Sequence, residues 1–322
     1  MARGTVPEAL VGGSQRPSRG GGGVLGAGRR VAWLPAAACL WLIWRLAALL
    51  PVDWASALGS AATRVIGPRL RRQKTIARNL AIAFPDQSAA EIEALTREVW
   101  GSFGRVLAEY PHLATIVGRQ RSERLTILVK GDIGAIRDGS KPAVFVEPHL
   151  ANWELAAAIP KLLGFPLTVV FNPETNQWVT AMLQRRRRPL GCDFVANVEG
   201  LRPLVRELAH GRSVGFLIDR RVDSGSMVPF FGTETSMTLG PARLALKFGC
   251  PLIPVRVERS RGARFTVTLH EPVSPDGGGD DIETAMRMTR TVGALFESWI
   301  RERPQQWFCP KRLWPKKAKS AG

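Results

Sequence analysis

Apolar positions along the chain alternate between short continuous runs and stretches of helical spacing. The runs, which are typical of buried strands, lie near 126–129, 143–147, 166–171, 192–195, 213–218, 251–257 and 264–269. Helical spacing of apolar residues predicts one helix from about 88 to 110 and a closing helix from about 282 to 303. Strands and helices in alternation predict an α/β fold with a mostly parallel central sheet flanked by helices.

The residues before this pattern have a different character. Residues 1–30 are rich in Gly, Arg and Ser, and we predict a disordered basic tail there. Residues 31–52 form an apolar run about long enough to cross a bilayer, which predicts an N-terminal membrane-anchoring helix. The alternative is a buried amphipathic helix, because Arg45 interrupts the run. We predict one folded domain over residues 53–315 and a basic C-terminal tail over 316–322.

Charge narrows the range of partners. The 45 Lys and Arg residues outnumber the 27 Asp and Glu residues, which gives a net charge of +18 and favours polyanions: nucleic acid, an anionic lipid surface or a phosphorylated substrate. A nucleic-acid-binding protein is therefore a remote alternative, but no nucleic-acid-binding module is recognisable. The four cysteines are widely separated and lack CxxC spacing, so we expect neither a disulfide scaffold nor a metal site.

One segment carries candidate chemistry. Residues 143–163 read as strand, loop and helix, with Asn152 as a plausible N-cap and His149 at the carboxyl end of the strand. Within a single helix His149 and Glu154 would point about 140° apart, so they can pair only if the histidine precedes the helix. A carboxylate on the imidazole would leave the other ring nitrogen free to accept a proton from an attacking hydroxyl. A purely structural histidine is the alternative.

The motif His149–Glu154 resembles the His-x4-Asp/Glu signature of the lysophospholipid acyltransferase superfamily, and its local form His-Leu-Ala-Asn-Trp-Glu resembles the lipid A lauroyl/myristoyl branch. Further motifs of that branch follow in order along residues 30 to 315. They are Arg78–Leu80, Phe84–Asp86, Phe171–Pro173, Arg185–Arg188, Ile218–Asp219, Val228–Gly232 and Arg303–Trp307.

This resemblance implies a membrane-bound acyltransferase without a cofactor, with residues 53–315 as its catalytic domain. It would move a fatty acyl group from an acyl carrier protein (or coenzyme A) thioester to a hydroxyl of a lipid A precursor, an anionic phosphorylated lipid, at the inner membrane with the catalytic domain facing the cytoplasm. Another glycolipid or a lysophospholipid is the alternative acceptor. The expected catalytic residues are His149 and Glu154, and the expected substrate-binding residues are Asn152, Arg187, Asp219 and Arg220.

Several of these assignments have simpler alternatives. The basic run Arg185–Arg188 also suits a solvated helix end, and Asp219 also suits a turn after its strand. Phe230–Gly232 fits core packing as well as an acyl-pocket wall, and Trp307 is a candidate for contact with a headgroup phosphate. A hydrolase is disfavoured because the chain has neither a Gly-x-Ser-x-Gly elbow nor a His-Glu-x-x-His helix.

Overall fold

A computed structural model describes residues 33–118, 123–197, 200–275 and 278–315. The two predicted tails, 1–30 and 316–322, lie outside the described residues. The α-helices are α1 Leu34–Ala47, α2 Val52–Ile66, α3 Gln73–Ala83, α4 Ala89–Glu109, α5 Leu113–Ile116, α6 Gly134–Arg137, α7 Ile159–Leu163, α8 Gln177–Arg187, α9 Arg202–Ala209, α10 Gly240–Phe248 and α11 Asp281–Glu302. The strands are β1 Leu125–Val129, β2 Val144–Glu147, β3 Leu167–Phe171, β4 Asp193–Ala196, β5 Ser213–Leu217, β6 Ser226–Phe230, β7 Thr233–Met237, β8 Leu252–Arg261 and β9 Arg264–Leu269.

The central sheet has the order β1-β9-β8-β2-β5-β3-β4. Every neighbouring pair is parallel except β8 and β9, which form an antiparallel hairpin. Strand β2 is buried along its whole length, with Val144 and Val146 in the apolar core on one face and Phe145 in the core on the other. Burial on both faces is what a parallel sheet covered by helices requires. The predicted α/β fold with a mostly parallel sheet is confirmed.

The predicted 31–52 element is shorter and broken. Helix α1 ends at Ala47, and α2 begins after Pro51, whose ring holds it in an extended conformation. Across the described parts of the chain, no helix is both long enough and apolar enough to cross a bilayer. Helix α2 then lies against α4 at close range, since a Cβ on Gly59 would come 2.4 Å from the Gly104 carbonyl oxygen.

The hairpin β6–β7 was not predicted. Its turn is formed by Phe231 and Gly232, both with positive φ, as a two-residue hairpin turn requires. A phenylalanine at the first turn position is atypical, so Gly232 is the turn signal that the sequence carries there. Both Phe230 and Phe231 are buried against Trp307 and Trp314, which supports the core-packing alternative for this segment.

Candidate active site

The site forms where β2 and β5 end side by side. Their parallel register pairs Glu147 with Leu217, the last residue of each strand. His149 and Asp219 each follow two residues later, so the two chains leave the sheet together and bring these side chains into contact. The predicted position of His149, at the carboxyl edge of the sheet, is confirmed.

Asp219 is the carboxylate that holds the imidazole. The His149 Nδ1 lies 2.5 Å from Asp219 Oδ1, and the His149 backbone N–H donates to Oδ2 at 2.9 Å. The indole N–H of Trp307 donates to the same Oδ2 at 2.9 Å. An ionised carboxylate at Nδ1 assigns the proton to that nitrogen, which leaves Nε2 as the acceptor. Trp307 is fully buried in this role and offers no surface to a headgroup.

Burial sets the charge states of this pair. Desolvation lowers the pKa of His149 below its ordinary value, although the Asp219 carboxylate acts in the opposite direction. Burial acts to raise the pKa of Asp219, but His149 and the hydrogen bonds it receives hold that pKa below its ordinary value. The resting site therefore combines a neutral imidazole with an ionised carboxylate, the state in which a histidine can accept a proton.

Glu154 does not contact the imidazole, which corrects the expected pairing. The Glu154 carboxylate binds the Arg187 guanidinium in a bidentate ion pair, with Nε–Oε2 and Nη2–Oε1 distances of 2.7 Å. The Tyr110 hydroxyl donates to Oε1 at 2.8 Å. These bonds occupy both oxygens, because the 3-10 helix that begins at Trp153 carries Glu154 towards Tyr110 and α8 rather than back to His149.

The ion pair with Glu154 is buried. The Glu154 side chain is 4% exposed and that of Arg187 13%. Burial acts to raise the pKa of Glu154, but Arg187 holds it below the ordinary value. Arg187 also lies over the rings of Phe171 and Phe194, so the last residue of α8 is not a solvated helix end.

Asn152 has a different partner from the one expected of an N-cap. It precedes the 3-10 helix, but its side-chain amide donates to Glu109 Oε2 at 2.9 Å instead of capping the helix. The fully buried Glu109 also accepts two bonds from Arg259 and one from Ser56 Oγ at 2.6 Å. Sequence reasoning missed this network, since hydrogen-bonded partners within it are up to 150 residues apart in the chain.

Arg220 follows Asp219 and is largely buried, yet within the described ranges it has no hydrogen bond or ion pair. Desolvation lowers the pKa of Arg220, and the charge of Arg72 acts in the same direction. The charges of Arg220 and Arg72 also contribute to lowering the pKa of Lys311. Arg72, Arg220 and Lys311 thus form a group of cations close enough to influence one another, with the Glu174 carboxylate acting on Arg220 and Lys311 in the opposite direction. Of these residues, Arg220 acts on His149.

Comparisons with known proteins cover most of the chain. Residues 30–316 match the family model described as bacterial lipid A biosynthesis acyltransferase. A phosphatidylinositol mannoside acyltransferase of Mycolicibacterium smegmatis is 27% identical over 217 residues, 66% of this chain and 71% of that protein. The lipid A biosynthesis myristoyltransferase of Escherichia coli is 24% identical over 253 residues, 78% of this chain and 76% of that protein.

Among solved structures, the 1-acyl-sn-glycerophosphate acyltransferase of Thermotoga maritima superposes with a TM-score of 0.34 and 18% identity, over 69% of this chain and 97% of that chain. The range matched by the family model includes every site residue described above.

Proposed function

Because the chain belongs to the bacterial lipid A biosynthesis acyltransferase family and is an acyltransferase, we propose that it transfers a fatty acyl group from an acyl carrier protein or coenzyme A thioester to a hydroxyl of a lipid A precursor. The observation that carries the mechanism is the buried pair of His149 and Asp219, with Nδ1 held and Nε2 left to accept a proton. Both this donor and this acceptor are part of the proposal.

In the proposed reaction the acceptor hydroxyl attacks the thioester carbonyl directly. His149 Nε2 takes the hydroxyl proton as the carbon–oxygen bond forms, and Asp219 stabilises the imidazolium. The tetrahedral intermediate then expels the thiolate, which receives the proton from Nε2. Arg220 carries positive charge that reaches His149, so it is suited to stabilise the developing oxyanion.

We assign Glu154 a positioning role in this mechanism. With Arg187 it fixes the helix that follows the His149 loop, and its charge acts to raise the pKa of His149 from a distance. Asn152 anchors the same loop to Glu109. Glu154 and Asn152 thus help to hold His149 in position through the loop that connects the three residues.

Transfer without an acyl-enzyme intermediate is supported by the state of the thiols. Burial raises the pKa of Cys192 to about 12 and that of Cys250 to about 11. Burial also raises the pKa of the buried Cys309. Nucleophilic cysteines need a lowered pKa, and the pKa of each of these three is raised instead. The fourth cysteine, Cys39, is exposed on α1.

An anionic acceptor suits the three cations Arg72, Arg220 and Lys311. Each cation lowers the pKa of a neighbour, and the single carboxylate of Glu174 offsets only part of this repulsion, so a phosphate bound among them would be stabilised. A second acceptor class is favoured by the relatives, since one of them is named for phosphatidylinositol mannoside. That lipid is also anionic, so the cation group alone does not separate the two acceptors.

Membrane binding is proposed through a surface of α1 and α2 and the turn after them, in place of a spanning helix. Most of the exposed large apolar side chains of the described residues lie here, a set we call the helix-pair surface: Leu34, Trp41, Leu42, Ile43, Leu46, Leu49, Trp54, Leu58, Val65, Ile66 and Leu70. Leu49 is 80% exposed and Trp54 68%. Arg69, Arg71, Arg72 and Lys74 follow directly, as expected of a surface that docks on anionic headgroups.

Vesicle flotation tests this surface. Leu49→Ser combined with Trp54→Ser is expected to lower binding to anionic vesicles at least tenfold, since each change removes on the order of 2 kcal/mol of apolar burial. Leu128→Ser with Met227→Ser, at exposed apolar positions elsewhere, is the matched control and should bind like the unaltered protein. Equal loss in both double variants would contradict the assignment.

The reaction is tested with the full-length protein in vesicles, carrier-protein and coenzyme A donors, and lipid A precursor or phosphatidylinositol mannoside as acceptor. Mass spectrometry should detect one added acyl chain on a preferred acceptor. Protein incubated with donor alone should keep its unmodified mass. Failure of every acceptor to gain an acyl chain would overturn the proposed function, and a stoichiometric acyl adduct on the protein would overturn direct transfer.

A further inference from the structure

Glu147 is a buried carboxyl that the mechanism above does not use. It is the last residue of β2, two positions before His149, and only 8% exposed. Its Oε2 has no hydrogen-bond partner in any described part of the chain. Leaving a buried polar atom unpaired costs stability, so natural proteins rarely retain one without a reason.

The Glu147 carboxyl lines a small cavity beside the His149 loop. The cavity has a volume of about 20 Å³, and apart from Glu147 its lining consists of apolar side chains and Gly215. Ala156 and Ala157, from the segment after the loop, form part of the wall, so the cavity lies between the two flanks of the motif. This space is large enough for one group of the size of water or hydroxyl, and too small for a length of acyl chain.

The absent side chain of Gly215 contributes to this space. Gly215 pairs with Phe145 across β2 and β5, and a Cβ placed on it would lie 3.3 Å from Val169 Cγ2. That distance is tight but not prohibitive. An alanine here is therefore a way to fill the cavity without touching Glu147.

The surroundings of Glu147 favour its neutral form over its ionised form. Burial raises the pKa of Glu147 well above its ordinary value, and the negative charges of Glu154 and Asp219 add to this effect. A neutral carboxylic acid both donates and accepts hydrogen bonds. The cavity wall therefore offers a hydrogen-bonding group that is complementary to a hydroxyl.

We propose that Glu147 is a specificity residue that binds a hydroxyl on the acyl donor near its thioester, so that the enzyme prefers 2- or 3-hydroxyacyl chains to unsubstituted chains of the same length. This inference rests on the proposed acyl transfer. The apolar lining favours the hydrocarbon donor over the phosphorylated acceptor, whose charges suit Arg72, Arg220 and Lys311. A site built to pair with a hydroxyl discriminates strongly against the analogue that lacks it.

Competition between donors tests this inference. The full-length protein in vesicles receives equal amounts of tetradecanoyl and either 2- or 3-hydroxytetradecanoyl carrier protein, and mass spectrometry measures the product ratio. The unaltered protein should favour one hydroxylated donor by at least about tenfold in kcat/KM. Glu147→Leu should bring the ratio near to one, while Glu147→Gln, whose amide still donates and accepts, should retain a preference. Gly215→Ala should lower the preference by filling the space.

Thermal unfolding separates this role from a structural one. Removal of an unpaired buried carboxyl should raise the melting temperature of Glu147→Leu. A lowered melting temperature with an unchanged product ratio would assign Glu147 to the fold and overturn the proposal. Equal use of both donors by the unaltered protein would also overturn it, with the proposed acyl transfer intact. No transfer from either donor would instead contradict the proposed function.

Discussion

Two buried carboxylates flank the same loop, and their partners differ in kind. In the His149 cluster (His149, Asp219 and Trp307), Asp219 binds a ring whose charge changes when it takes up a proton. In the Glu154 cluster (Glu154, Arg187 and Tyr110), the carboxylate binds a guanidinium whose charge is fixed. Only the first cluster can store a proton during a reaction. The carboxylate within the His-x4-Glu motif and the carboxylate that binds the histidine are therefore different residues in this protein.

The distinct role of the His149 cluster depends first on His149 itself. His149→Ala should lower kcat about 10³- to 10⁴-fold, because it removes the only proton acceptor of the His149 cluster. Circular dichroism and thermal unfolding should show a retained fold. His210→Ala, an exposed histidine at the end of α9, is the control and should keep normal turnover. Turnover in His149→Ala within a few-fold of normal would remove the basis of the mechanism.

Asp219→Asn should have the next largest effect, a loss of about 10²- to 10³-fold in kcat. The amide keeps the shape of the side chain but cannot stabilise the imidazolium or enforce the Nδ1–H tautomer. Single-turnover measurement isolates this effect from product release. If Asp219→Asn turns over nearly as fast as the unaltered protein, Asp219 does not act on His149.

Glu154→Gln should act mainly on stability. It leaves the Arg187 charge buried and uncompensated, which costs about 3–5 kcal/mol, and kcat of the folded enzyme should fall less than in Asp219→Asn. Denaturant unfolding measures the first effect. A Glu154→Gln, Arg187→Met double variant removes both charges and should recover much of the stability. If Glu154→Gln lost as much kcat as Asp219→Asn and lost no stability, the Glu154 cluster would act in the reaction as the His149 cluster does, and the distinction between them would be wrong.

Tyr110→Phe should have the smallest effect. It deletes one donor to Glu154 while the bidentate pair with Arg187 remains, so a loss of about 1–2 kcal/mol in the free energy of unfolding is expected. Turnover should change less than tenfold. A larger loss of activity than in Glu154→Gln would place the Tyr110 hydroxyl in the reaction itself.

Local patterning predicted most of the fold. Apolar runs marked every strand of the central sheet, and helical spacing marked α4 and α11, because buried strands and amphipathic helices have distinct periods. Hairpin β6–β7 was not predicted because Phe231 is an unusual turn residue. Helix α1 was predicted too long because the apolar residues continue through Leu49 and Leu50, beyond the end of the helix at Ala47.

The sequence identified His149, Asp219, Glu154 and Arg187 as site residues, but not their pairings, and it did not identify Tyr110. Asp219 follows the end of its strand by two residues, as His149 does, and the carboxyl ends of parallel strands lie at one edge of the sheet. Their contact depends on β2 and β5 being neighbours, and strand order is a tertiary property that spacing along the chain does not encode. Glu154 and Arg187 meet across 33 residues for the same reason.

The pH dependence of single-turnover acyl transfer, compared between the unaltered protein and Asp219→Asn, tests whether Asp219 acts on His149. Burial lowers the pKa of His149, and the Asp219 carboxylate opposes that change. The unaltered enzyme should therefore lose activity only as the pH falls below the ordinary histidine pKa of about 6.5. Without the carboxylate the pKa of His149 falls further, so the acid limb of Asp219→Asn should move to lower pH while the plateau rate drops. An acid limb that stays in place, or moves to higher pH, would show that the Asp219 carboxylate does not raise the pKa of His149.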